Sequence, residues 1–285
     1  MKSRCWKIFI LSHLGLVAAL PLRGDLLEGL QAYWNFNENF TATVGCSTYD
    51  GSASATGVSI DAGAGRFDGS AARFNREDEG FVRVNNSPFS QSSYTYSAWY
   101  YLDVEEITGA NRYFILEATN GSNWPASYGL RISQDSTSDE EVGEVFTHGG
   151  DGSKSIDFAA GNHQQWNHIA VTFDASAVSD GNSGSIQFMT FLNGSLVNED
   201  LRIEGSLSPS DFLILGGHRA ETGRNWEGWI DEVAVWDRVL SVEEIGALQS
   251  GPIVAIPEPF WGPGFLSLAA LVFAGYYRWR RGYRP

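Results

Sequence analysis

Between residues 25 and 250 the sequence consists of short segments whose side chains alternate in character, punctuated by Gly, Asn, Asp and Ser. A period of two belongs to strands, because successive side chains on a strand point to opposite faces. Within 94–102, Tyr94, Tyr96, Ala98, Tyr100 and Leu102 share one face. Within 166–174, His168, Ala170 and Thr172 oppose Ile169, Val171 and Phe173. Residues 185–192 and 195–201 flank Asn193-Gly194, a pair suited to a type I′ hairpin turn. About a dozen such segments predict an all-β sandwich of two antiparallel sheets. The 10 Trp and 17 Phe can fill the space between the sheets. One helix is expected, over 241–249: Ser241 and Glu244 form a capping box, Ile245 and Leu248 share a face, and Gly251-Pro252 stop it.

The two ends differ from this body. Residues 1–24 begin with Lys2, Arg4 and Lys7, continue through an apolar stretch and reach Ala18-Ala19, the layout of a secretory signal peptide cut near Gly24. An N-terminal helix of the domain is the competing reading. Removal of the signal takes Cys5 with it and leaves Cys46 alone, so no internal disulfide is expected. Cys46 then either bridges to another molecule or stays a buried thiol. A linker is expected over 251–255. Residues 260–277 are uncharged and long enough to cross a bilayer as a helix, and Arg278, Arg280, Arg281 and Arg284 follow as a cytoplasmic stop. Pro257-Glu258-Pro259 precedes the span and holds the backbone extended.

That order of Pro257, Glu258 and Pro259, apolar span, then Arg280 and Arg281 resembles the PEP-CTERM sorting signal of Gram-negative bacteria that make exopolysaccharide. The resemblance implies processing of residues 256–285 by an exosortase, a membrane transpeptidase. A transient inner-membrane anchor would then give way to release at the cell surface or in the extracellular matrix. A plain single-pass anchor is the alternative.

The span 25–277 holds 11 basic and all 34 acidic residues, a net of −23. Such a surface repels nucleic-acid phosphates and excludes nucleic acid as a partner class. It suits divalent cations or a basic partner, or it serves solubility alone.

Five pieces in order extend the strand reading. They are Ala32 to Glu38, Tyr96 to Trp99, Trp166 to Ala170, Phe191 to Gly194, and Trp229 to Trp236 running into Arg238 to Ser241. Over residues 30–250 they resemble the LamG-like jelly rolls of the concanavalin A-like lectin/glucanase superfamily. That fold hosts lectins, hydrolases, adhesion modules and spacers, so it does not fix function. In relatives an Asp opening the last long strand binds a structural Ca²⁺; the matching residue is Asp231, with hydrogen bonding to a nearby turn as its other role.

Retaining glucanases of this fold carry alternating Glu-x-Asp-x-Glu carboxylates on one strand, and neither this pattern nor its one-residue-longer variant occurs. Glu77-Asp78-Glu79 and Glu140-Glu141-Val142-Gly143-Glu144 read instead as acidic surface turns. His168 reads as a structural strand residue, and His148, His163 and His218 as loop residues without zinc spacing. Asn123-Trp124-Pro125, Tyr128, His148 and Asn225-Trp226 could line a sugar site, although core filling explains most Trp as well. A non-catalytic matrix protein that binds or associates with polysaccharide is therefore expected. An adhesion module contacting another surface protein comes second, and a glycoside hydrolase third.

Overall fold

The structure, a computed structural model, describes residues 25–44, 49–67, 69–89, 93–108, 111–120, 127–134, 141–149, 152–174, 185–204, 210–220 and 223–253. The signal segment 1–24, Cys46 and the sorting segment 256–285, with Pro257, Glu258, Pro259, Arg280 and Arg281, lie outside the described residues. Among the described residues no helix is long and apolar enough to cross a membrane.

Fifteen strands are described. The first five are β1 (Leu30–Trp34), β2 (Gly51–Ala53), β3 (Val58–Ala62), β4 (Ser70–Phe74) and β5 (Val82–Val84). Then come β6 (Tyr94–Leu102), β7 (Arg112–Thr119), β8 (Ser127–Gln134), β9 (Glu141–Gly149) and β10 (Gly152–Ala159). The last five are β11 (Trp166–Asp174), β12 (Ser185–Leu192), β13 (Ser195–Glu204), β14 (Phe212–Leu215) and β15 (Gly228–Trp236), followed by helix α1 (Val242–Ala247). One sheet of eight strands runs β13-β12-β11-β6-β15-β4-β3, with β1 beside the second half of β15. The other, of seven, runs β10-β9-β8-β7-β14-β5-β2. The fold is thus the expected all-β antiparallel sandwich with one short helix.

Alternation sets which side chains meet between the sheets. Tyr94, Tyr96, Ala98, Tyr100 and Leu102 of β6 join Ile169, Val171 and Phe173 of β11 against Ile115, Ala118, Leu130, Ile132, Val145 and Leu213 of the second sheet. Phe89 meets Tyr94, Tyr96 and Tyr128 edge-on, and Tyr94 stacks on Phe173 at 4.2 Å, arrangements that add to simple burial of area. The β12–β13 hairpin turns at Asn193 (φ 49°) and Gly194 (φ 79°), both in the left-handed region a type I′ turn requires.

The outer face of the eight-stranded sheet is covered at one end. Tyr33, Ala170, Phe191, Ala234 and Trp236 form a second apolar cluster there with Leu26, Leu240, Ile245, Leu248 and Ile253. The capping box is formed: Ser241 Oγ accepts from the Glu244 amide at 3.2 Å, and the Glu244 carboxylate accepts from the Ser241 amide at 2.8 Å. Arg238 grips the same carboxylate through both terminal nitrogens. Ile253 is buried, so packed chain continues past the expected domain end at residue 250.

Candidate functional site

Among the described residues three polar groupings stand out beside the two apolar clusters. The first lies on the outer face of the seven-stranded sheet. On β7, Ile115 and Leu116 both enter the core, because a bulge between Phe114 and Leu116 shifts the pairing with β8. A bulge adds a residue and re-aims the side chains after it. Phe114 and Glu117 therefore both point outward. Glu117 is fully buried there by the β14–β15 loop: its Oε2 accepts from the Arg219 amide at 2.6 Å and its Oε1 from the Arg219 guanidinium. Across β8, Arg131 donates to Glu144 of β9 through Nε (2.5 Å) and Nη2 (2.9 Å), and Ser133 adds a third bond at 2.7 Å. Burial alone would raise the Glu144 carboxyl, but the bonds and charge of Arg131, helped by Ser133 and Arg112, outweigh it and hold the pKa below the usual value. Gly129 sits opposite Glu117, where a Cβ would lie 2.6 Å from the Phe146 ring. Phe114 packs edge-on against Phe146 (5.5 Å) and against the ring of His218 (4.9 Å).

Glycoside hydrolysis on a sheet face needs one carboxyl that keeps its proton to deliver it to the leaving group. Here arginine guanidinia hold both Glu117 and Glu144, and Glu144 is driven toward the ionised form. His218 cannot take the acid role, because burial, then Arg219 and Arg224, push its pKa down to about 3.

The second grouping is an aromatic row on the outer face of the eight-stranded sheet, away from α1. The register places Trp166 of β11, Tyr101 of β6, Trp229 of β15 and Arg73 of β4 side by side. All four are half-buried. Tyr101 stands edge-on between the two indoles, at 5.9 Å from Trp166 and 5.1 Å from Trp229. Adjacent strands put about 10 Å between the outer two rings. Trp229 Nε1 donates to Asp61 at 2.8 Å, and Arg73 lies 4.3 Å from the Trp229 ring while pairing with Glu227 (2.8 Å) and Asp103 (3.2 Å). Carboxylates thus border the rings, the combination that sugars require: an apolar face for ring C–H groups beside acceptors for hydroxyls.

The third grouping surrounds Asp231. Its Oδ2 accepts from the Arg66 amide (2.9 Å) and its Oδ1 from the Glu232 amide (2.8 Å). Tyr33 donates to Glu232 at 2.5 Å. A bulge in β15 brings the two carboxyls together, with Glu232 at φ 52°. Burial pushes both carboxyls well above their ordinary values, more than their hydrogen bonds draw them down. Both Asp231 oxygens are engaged by amides, so a cation would compete with those bonds. Among the described residues no cluster of three or more His, Cys, Asp or Glu could hold a metal.

Several readings from sequence are corrected. Glu141 and Glu144 belong to strand β9 rather than to a surface turn, because pairing with β8 and the Arg131 fork fix them there. His148 lies on the same strand, not in a loop. Tyr128, Asn225 and Trp226 are buried, Trp226 wedged edge-on against Tyr100 and Tyr113, so they line no sugar surface. Residues 123–125 lie outside the described residues. Glu77 to Glu79 do form a turn, held by the Asn75 side chain accepting from the Glu77 and Asp78 amides. His168 is structural: its ring lies 5.0 Å from Trp99 and contacts Gln249. His163 pairs with Glu141 at 2.7 Å. Neither the aromatic row nor the arginine-lined face was found from sequence. The only signal was alternation, which puts Tyr101 opposite the inward Tyr100.

A family model described as the concanavalin A-like lectin/glucanases superfamily, of laminin G type, matches residues 76–246. Among curated proteins none matches the sequence. Similar solved structures include domain 4 of AbnA, an extracellular GH43 arabinanase from Geobacillus stearothermophilus, solved with arabinotriose. It is 16% identical with a TM-score of 0.54, and the match covers 77% of this chain and 98% of that one. The receptor-binding domain of botulinum neurotoxin type G is 13% identical with a TM-score of 0.54, over 78% of this chain and 51% of that one. That of botulinum neurotoxin D is 14% identical with a TM-score of 0.52, over 78% and 52%. The chain thus spans about half the length of these toxin domains. At such identities the likeness is one of fold.

Proposed function

Because the chain belongs to the laminin G-like family of the concanavalin A-like lectin/glucanases superfamily, we propose that it is a non-catalytic module that binds extracellular polysaccharide through the row Trp166–Tyr101–Trp229. The carrying observation is three half-buried aromatic rings aligned across neighbouring strands and bordered by Asp61, Asp103 and Glu227. Neighbouring folds solved with a saccharide or named for receptor binding support binding as the activity class. The arginine-held Glu117 and Glu144 support the absence of acid catalysis on the outer face of the seven-stranded sheet. Residues 1–24 direct export in this reading. Pro257, Glu258 and Pro259, the span 260–277 and Arg280 and Arg281 make the chain an exosortase substrate anchored transiently in the inner membrane. A structural calcium at Asp231 belongs to the same reading; it would have to displace the Arg66 and Glu232 amides from the Asp231 carboxyl, and what favours it is that Asp231 and Glu232 are both buried and, among the described residues, neither is paired with an arginine or lysine side chain.

Affinity electrophoresis against a panel of neutral and acidic polysaccharides tests the binding. Trp166→Ala and Trp229→Ala are each expected to weaken retention about tenfold, the scale of losing one buried aromatic anchor. Wild-type protein that no polysaccharide retards, while a surface protein of the same cell retains it, would favour the adhesion reading. Intact-mass measurement on protein from its native host tests export and sorting: loss of both ends is expected, and an untrimmed cytosolic chain would overturn that part.

A further inference from the structure

The β14–β15 loop carries an arrangement that the aromatic row does not use. The imidazole of His218 is buried on the outer face of the seven-stranded sheet, and both its nitrogens face N–H donors. The Ala220 amide donates to Nδ1 at 3.1 Å, and Arg224 Nη1 approaches Nε2 at 3.3 Å. A neutral ring has one proton and can accept at only one nitrogen. The backbone amide cannot turn away, so the proton belongs on Nε2, where it meets a second donor. The nearest carboxylate oxygen, Glu117 Oε2, is 3.9 Å from Nε2 and already accepts from the Arg219 amide. Two donors therefore converge on a place that calls for an acceptor.

The charges around it point the same way. Arg224 touches the ring, Arg131 lies over Phe114, which packs against it, and Arg112 stands two residues before the outward-facing Phe114 on β7; after burial, the charges of Arg219, Arg224, Arg131 and Arg112 all lower the His218 pKa. Glu144 engages Arg131 and Glu117 engages Arg219. Among the described residues neither Arg112 nor Arg224 has a carboxylate within salt-bridge distance. Arg112 is exposed at the start of β7, so this edge of the cluster meets solvent. Arg76 ties the backbone of Arg112 and of Gly223, which precedes Arg224, to one frame by donating to Arg112 O (2.7 Å) and Gly223 O (2.9 Å). It is a positioning residue.

We infer that this cluster is an anion site in which Arg224, His218 and Arg112 bind the carboxylate of an acidic saccharide. Planar guanidinium groups match a carboxylate, and Nε2–H supplies a third donor. A nucleic acid would meet the net charge of −23 carried by residues 25–277, whereas one carboxylate-bearing sugar needs only this cluster. The saccharide part of the inference rests on the proposed function; the carboxylate chemistry does not.

Isothermal titration of the intact protein with a glucuronic-acid oligosaccharide, its neutral glucose counterpart and inorganic phosphate tests it. The acidic sugar is expected to bind with an affinity that falls as salt rises, and phosphate much more weakly. Arg224→Gln and Arg112→Gln are each expected to lose about tenfold, the value of one charge-assisted pair, while Val242→Ala, exposed on α1 and outside both proposed sites, leaves this binding unchanged. Because Arg112 is exposed, Arg112→Gln keeps its melting temperature and its loss is read as binding. Phosphate binding as tight as the acidic sugar would overturn the saccharide class, and wild-type affinity in both arginine variants would overturn the site. Neutral glycan bound at the aromatic row with no binding of glucuronate sinks this inference alone. Glucuronate binding sensitive to Arg224→Gln, with no neutral glycan bound, sinks the aromatic row alone.

Discussion

Trp236→Ala is expected to lower the stability of the domain by about 3–5 kcal/mol, the range for deleting a buried tryptophan. Trp236 is fully buried on the outer face of the eight-stranded sheet, where Leu240, Ile245, Leu248 and Ile253 close over it. Its Nε1 donates to Leu26 O at 2.7 Å, so the indole ties the N-terminal segment and the helix to the same strand. Alanine removes the ring and strands that carbonyl at once, and short α1 has too little hydrogen bonding of its own to hold its place. Trp236→Phe, which keeps a ring and loses mainly the hydrogen bond, is expected to cost about 1–3 kcal/mol. Val242→Ala on the exposed side of α1 should change stability by less than about 0.5 kcal/mol. Urea denaturation followed by tryptophan fluorescence and by circular dichroism measures all three. Equal midpoints for Trp236→Ala and Val242→Ala would show that the outer cluster does not hold the sandwich.

What the sequence reveals follows the range of the interaction that fixes each feature. The faces of β6 and β11, the Asn193-Gly194 turn and the Ser241–Glu244 box depend on residues a few positions apart, and each is readable along the chain. Along the chain Glu144 reads as part of a loop, because the Ser/Thr/Asp-rich stretch before it and the neighbouring Glu140 and Glu141 have loop character. Its strand exists through pairing with β8 and the Arg131 fork, neither of which has a local signature. The outward turn of Glu117 needs the bulge in β7, which no spacing announces. The aromatic row needs the registers of β11, β6 and β15 together, so Trp166, Tyr101 and Trp229 look unrelated until the sheet is assembled. Trp226 errs the other way: its Asn and Gly neighbours suggest an exposed loop, yet the indole is drawn inward against Tyr100 and Tyr113.

Stability is expected to peak in mildly acidic solution and to fall on both sides, for opposite reasons. On the acid side the controlling groups are His168 and His218. Burial, followed by the charge of Arg66 for His168 and of Arg219 and Arg224 for His218, pushes each pKa from 6.5 down to about 3. Between those values the unfolded chain takes up protons that the folded chain refuses, so the stability these groups allow is complete above pH 6.5 and is lost progressively toward pH 3. Each adds a slope of up to about 1.4 kcal/mol per pH unit. Glu144 and Glu244, held below the usual carboxylate range, add losses in the same direction at the acid end. Asp231 and Glu232 work in the other sense. Burial keeps their protons on in the folded chain after the unfolded chain has released its own. Their contribution is therefore full at low pH and declines as pH rises through their folded pKa values. Denaturation midpoints from pH 3 to pH 9 read both limbs. His168→Gln, which keeps a polar group beside Gln249, should flatten the acid limb, and Asp231→Asn the alkaline one. An acid limb of unchanged slope in His168→Gln would show that the buried imidazole is not what governs it. The proposed calcium would act through the same linkage, because a divalent ion on Asp231 would favour the ionised carboxyl. Millimolar calcium at pH 8 should then raise the midpoint of wild-type protein and leave that of Asp231→Asn where it was.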